Sequence, residues 1–225
     1  MALGDWTYVH SDTNSATVNA VLSSAETLEQ VTSLIHQVDA ASMASALDSM
    51  DVMGWTAGVT DDTVLARTCV KFVQSLYGVF AVMQTSLGVA SQCYAATYKN
   101  DGTIALWKAT ITEIMNSSVS PIVTYMGAAP SSDTWGLSLL TQYDSITNQM
   151  QLTVSTTDSA QTLPLEVAAA PYPTGEFPDV TTRITYIDPS PITSGVNAGI
   201  FSAQLGTFTA GTQLSDFDIS QIFIP

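Results

Sequence analysis

Along the first half of the chain, apolar residues recur at intervals of three and four. After Thr17, residues Val18, Val21, Leu22, Ala25, Leu28, Val31, Ile35 and Val38 predict an amphipathic helix, with Asn14 or Ser15 as its cap. Met43, Leu47, Met50 and Met53 predict a second, shorter helix that stops at Gly54. A third run, Val64, Leu65, Cys69, Phe72, Val73, Leu76, Phe80, Met83 and Leu87, follows Asp61-Asp62, whose carboxylates suit the positive end of a helix dipole. Carried through to Tyr98, this helix would be about 57 Å long, whereas a globule of this chain length is roughly 45 Å wide. A break is therefore expected at Gly78 or Gly88. Asp101 reads as the cap of a further helix bearing Ile104, Trp107, Ile111, Ile114 and Met115, ended by Pro121.

In the second half the period falls to two. Trp135, Leu137, Leu139, Thr141 and Tyr143 share one face of a strand, and Met150, Leu152 and Val154 share a face of the next. The turn between them holds Thr147-Asn148. Leu163, Leu165 and Val167 predict a third strand that Pro164 confines to an edge. A proline-rich loop over Ala170 to Pro178 precedes a strand at Ile184 to Ile187, closed by Asp188-Pro189-Ser190-Pro191. Val196 to Thr209 and Phe217 to Ile224 complete the set, and a short strand at Trp6 to Val9 opens the chain. The late strands are apolar on both faces, which calls for a sheet covered on both sides or lying against another subunit. No internal repeat is present. Helices followed by strands predict an α+β fold, with N-terminal amphipathic helices packed on a C-terminal, mainly antiparallel β-sheet. The chain is expected to be a single domain over 1–225, helical to about 120 and β-rich from about 133.

Composition narrows the function. Against 20 Asp plus Glu there are only 5 Lys plus Arg, a net charge of −15, yet charged residues make up just 11% of the 225. The acidity comes from missing bases, because 25 Ser, 30 Thr and 25 Ala occupy the surface share that Lys and Glu usually fill. With only Arg67, Lys71, Lys99, Lys108 and Arg183 to neutralise phosphate, nucleic-acid binding is excluded, and anionic membrane surfaces repel the molecule. Met1 to His10 carry neither a base nor an apolar run, so no secretory signal is read and synthesis in the cytoplasm is expected. Phe72 to Tyr98 bear no formal charge and lie between Lys71 and Lys99. A core or interface helix accommodates Gln74, Gln84 and Gln92 there more readily than lipid does, unless they line a water-filled lumen.

Candidate chemistry is sparse. His36 sits near the end of a predicted helix, and His10 adjoins the turn-like Ser11-Asp12-Thr13-Asn14. Neither belongs to a recognisable nucleophile motif, so no catalytic residue is assigned. Asp61-Asp62 reads as capping, and Asp216-Phe217-Asp218 places two carboxylates on one strand face. That pair is weighed as a calcium site and set below a solvent-facing pair, so no metal or cofactor is assigned. Cys69 and Cys93, with no metal or redox spacing, read as reduced and buried, and Asn116-Ser117-Ser118 is a formal glycosylation sequon. The four tryptophans, Trp6, Trp55, Trp107 and Trp135, fall in different predicted elements.

Short, neutral side chains lose little entropy on being immobilised, so this surface suits self-association. The first reading is a non-enzymatic, self-assembling structural component of a shell, filament, tube or virion. Its partner is itself or a larger particle, and Phe217, Ile219 and Phe223 of the last strand form the interface by adding to a neighbouring sheet. The alternatives are a pore-forming toxin with helices layered on a sheet, which alone would engage a membrane, and a module or hydrolase acting on carbohydrates or other small ligands, its aromatics lining the pocket.

Overall fold

The computed structural model describes residues 6–11, 21–22, 25–29, 33–43, 50–55, 64–71, 76–84, 90–99, 101–127, 134–157, 182–193, 197–203 and 212–222. In chain order the strands are β1 Trp6–Ser11, β2 Val21–Leu22, β3 Ala25–Glu29, β4 Ser33–Met43, β5 Met50–Trp55, β6 Val64–Lys71, β7 Leu76–Met83 and β8 Gln92–Tyr98. There follow β9 Thr103–Thr110, β10 Val123–Met126, β11 Thr134–Asp144, β12 Gln149–Thr157, β13 Thr182–Asp188, β14 Asn197–Ala203 and β15 Thr212–Ile222. One helical turn and a half, α1 Ile111–Met115, lies between β9 and β10.

These strands form two antiparallel sheets. Sheet A has seven strands in the order β1-β5-β14-β7-β8-β9-β10, and sheet B has eight, β13-β12-β11-β6-β15-β4-β2 with β3 paired to β4. Early and late segments interleave, so β14 is hydrogen-bonded between β5 and β7 while β15 lies between β6 and β4.

The sheets pack face to face. Val79, Ala81, Tyr94, Ala96, Ile104 and Leu106 of sheet A meet Leu137, Leu139, Met150, Leu152 and Val154 of sheet B. The alternate residues of sheet A are buried as well. Phe80, Cys93, Ala95, Ala109 and Phe201 form a second cluster on its other face, covered by Ile111 and Ile114 of α1.

The architecture is a β-sandwich, which corrects the α+β expectation. The runs read as helices over 17–38, 43–53, 61–98 and 104–115 instead carry β2 to β9, and only α1 within them is helical among the described residues. Double burial explains the misreading. A strand covered on both faces, such as Val79-Phe80-Ala81-Val82-Met83, has no polar alternation, and its apolar positions fit a period of 3.6 as well as one of two. Asp101, read as a helix cap, belongs to the β8–β9 hairpin turn. Its Oδ1 accepts from the Thr103 N–H at 2.8 Å, Lys99 N–H donates to Thr103 O at 2.9 Å, and Gly102 adopts a φ of 88° that a side chain would strain.

The β11–β12 hairpin matches its expectation. Leu137, Leu139 and Thr141 are buried on one face opposite Thr156, Val154 and Leu152, and the turn places Asn148 at a φ of 53°. The strands expected at Trp6, Ile184, Val196 and Phe217 correspond to β1, β13, β14 and β15. The strand expected at Leu163 to Val167 and the Ala170 to Pro178 loop lie outside the described residues.

Candidate functional site

Among the described residues, one end of the sandwich brings a buried charged cluster next to a bulge in the backbone. Tyr94 and Lys108 are directly opposite each other on β8 and β9, and both point between the sheets. Asp188, the last residue of β13, faces them from sheet B and is only 5% exposed. Tyr94 Oη donates to Asp188 Oδ2 at 2.6 Å, and Lys108 Nζ lies 2.8 Å from the same oxygen. Lys108 Nζ also donates to the Ser190 carbonyl. Asp188 Oδ1 accepts from the Ser190 N–H at 2.9 Å, and Tyr94 Oη accepts from the Ile192 N–H at 2.8 Å.

Burial on its own would raise the Asp188 carboxyl. Hydrogen bonds from Lys108, Tyr94 and the Ser190 N–H outweigh it and hold the group below the ordinary carboxylate range. Tyr94 moves the other way: burial, reinforced by the hydrogen bond to Asp188, raises its phenol. The cluster therefore holds a carboxylate, an ammonium and a neutral phenol, a paired arrangement suited to positioning chain segments.

Beside it, β7 carries a bulge. Its pairing with β14 shifts between Gly199, opposite Phe80, and Asn197, opposite Met83. Val82 occupies the extra position at a φ of 54°, unusual for a β-branched residue, and as a result Ala81 and Val82 both enter the inter-sheet core. Asn197 is buried at the same end. On the outer side Thr110 caps α1: its Oγ1 accepts from the Glu113 N–H at 3.1 Å while Glu113 Oε2 accepts from the Thr110 N–H at 2.8 Å.

The residues singled out in the sequence are dispersed. His10 on β1 is opposite Asp51 in register, and His36 on β4 is opposite Thr27 and Ile219. Asp218 lies opposite Arg67 and Gln37, with the ladder irregular across Asp216 and Phe217. Asp61 and Asp62 fall outside the described residues. Trp6 and Trp55 are register partners in sheet A, Trp107 donates to Thr97 Oγ1 at 3.0 Å, and Trp135 is in sheet B. Cys93 is a buried free thiol that burial pushes up in pKa, and Asn116 is exposed at the end of α1. The uncharged 72–98 stretch carries β7 and β8, and among the described residues no helix is long and apolar enough to cross a membrane.

Phe217 and Ile219 lie on β15, which is hydrogen-bonded along both edges, while Phe223 is outside the described residues. The sequence showed both Asp188 and Tyr94, but nothing in it joined residues 94 positions apart.

No family model and no curated protein matches the sequence. Solved structures do match the fold. The exoplasmic/lumenal domain of VIP36, in a Ca2+/Man3GlcNAc-bound form, superposes with a TM-score of 0.56 at 7% identity, covering 100% of this chain and 86% of its own. The legume lectin-like domain from Entamoeba histolytica gives 0.54 at 8% identity, covering 98% and 92%. The fold is a legume-lectin-type sandwich.

That likeness corrects the reading of an α+β virion or structural self-assembling component. For β14, of the two arrangements expected for the late apolar strands, the sheet covered on both sides is the one observed. The two-sided apolar strands of sheet A need no neighbouring subunit, because sheet B covers one face and α1 contributes cover to the other from within the chain.

Proposed function

We propose that this protein is a carbohydrate-binding module. One observation carries the reading: the chain superposes along its whole length, 100%, on a lectin-type domain bound to Man3GlcNAc, at a TM-score of 0.56. A surface dominated by Ser and Thr, with 55 hydroxyl residues of these two kinds in 225, suits ligands that exchange hydroxyl hydrogen bonds. Exposed Tyr125, on edge strand β10, adds an aromatic face of the type on which sugar rings stack.

The VIP36 domain was solved with Ca2+ as well as sugar. Among the described residues of this chain no three His, Cys, Asp or Glu side chains come together as ligands for an ion. The reading routes no contact through a calcium ion.

Glycan-array binding, followed by calorimetry on the best hit, tests the reading in parallel samples with calcium and with chelator. Saturable binding to a defined oligosaccharide class is expected. A protein that is folded by circular dichroism yet binds no glycan under either condition overturns it.

A further inference from the structure

The segment leaving β13 crosses from sheet B to sheet A on its way to β14. Its sequence is Asp188-Pro189-Ser190-Pro191-Ile192, in which the two prolines have no N–H to give. The only backbone donors between 189 and 192 are therefore those of Ser190 and Ile192. Both end on the buried cluster, Ser190 N–H on Asp188 Oδ1 at 2.9 Å and Ile192 N–H on Tyr94 Oη at 2.8 Å. The Ser190 carbonyl accepts from Lys108 Nζ. Ile192, 6% exposed, belongs to the inter-sheet core, whereas Pro189 and Ser190 are exposed.

We propose that residues 188–192 form a strap that opens as a unit, with Ile192 as its plug into the core and Asp188, Tyr94 and Lys108 as its catch. Beyond Asp188, which ends the β12–β13 ladder opposite Met150, no strand pairing holds residues 189–192, so closure hangs on one carboxylate that accepts from two strands of sheet A at once. Protonating Oδ2 removes the charge that holds Lys108 and leaves an oxygen that no longer accepts from both donors. Among the described residues, the titratable groups facing Asp188 are Tyr94 from β8 and Lys108 from β9, with Tyr186 two residues back on β13; β12 places Met150 opposite it. Of the three side chains in the catch, Asp188 carries the only carboxyl, so its protonation sets the release. This device stands apart from the carbohydrate reading and depends on no ligand.

Amide hydrogen exchange on the intact chain, followed by NMR and corrected for the intrinsic pH dependence of exchange, is the test. In the wild type, the Ser190 and Ile192 amides are expected to hold constant protection from about pH 8 to about pH 5, then lose roughly tenfold or more by about pH 3 while β8 and β12 amides stay protected. Asp188→Asn should show the same local loss at neutral pH and no further change in acid. The wild-type titration stands on its own should the variant fold poorly. Ser190 and Ile192 amides that exchange in step with β8 at every pH, or that stay equally protected in Asp188→Asn, overturn the proposal.

Discussion

The phenol of Tyr94 donates to Asp188 at 2.6 Å and accepts from the Ile192 N–H at 2.8 Å, so one oxygen ties β8, β13 and the crossing segment together. Tyr94→Phe leaves the buried Ile192 amide without an acceptor, and denaturant unfolding should show a loss of about 1–3 kcal/mol. An unchanged midpoint would mean that water replaces the hydroxyl.

Asp188 also sets a pH dependence. Its carboxyl is held below the ordinary range in the folded protein, so its contribution is complete above the unfolded carboxylate value of about 3.9 and drains away as pH falls through the lower folded value. Thermal melts should therefore be insensitive to Asp188 from about pH 5 to about pH 8 and decline below that range. In Asp188→Asn this portion of the acid slope should vanish. A variant that keeps the wild-type slope would assign it to other carboxylates.

Gly78 is fixed by close approach. A Cβ there would stand 2.6 Å from the ring of Phe201 and would also meet the Ala96 carbonyl. Gly78→Ala should cost about 1–3 kcal/mol in chemical denaturation, because Phe201 is fully buried and has no open side to retreat to.

Thr156 offers the opposite sign. Its Oγ1 is buried between the sheets with no hydrogen-bond partner. Thr156→Val removes an unsatisfied hydroxyl at nearly constant shape and should raise stability by about 1 kcal/mol, read as a higher denaturant midpoint at unchanged slope.

Thr110 is the cap of α1, and the helix contributes Ile111 and Ile114 to the outer cluster on sheet A. Thr110→Ala should destabilise by about 1 kcal/mol. Faster amide exchange confined to 111–116 would place the effect at the cap.

How far the sequence carried the fold depends on exposure. The β11–β12 hairpin was legible because Gln142 and Gln151 on its outer side alternate with buried Leu139, Thr141 and Leu152, and Asp144 and Asn148 sit in its turn. β7 was illegible because Val79 to Met83 are all buried, and the bulge at Val82 breaks even the two-residue phase. Asp101-Gly102 carried a hairpin-turn signal that a helix-cap reading of Asp101 masked. The Tyr94–Asp188–Lys108 cluster was beyond reach, since it forms only once β8, β9 and β13, distant in sequence, are stacked by the sandwich.

The interleaving of strands sets the timetable of folding. Sheet A has a gap between β5 and β7 until residues 197–203 arrive, and sheet B has one between β4 and β6 until residues 212–222 do. A chain emerging from the ribosome must therefore wait with raw backbone edges bare in both halves, and collapse into the native state can finish only after synthesis of the last strand. Ribosome-bound or C-terminally shortened chains are the species most exposed to clumping, and chaperone demand should peak there.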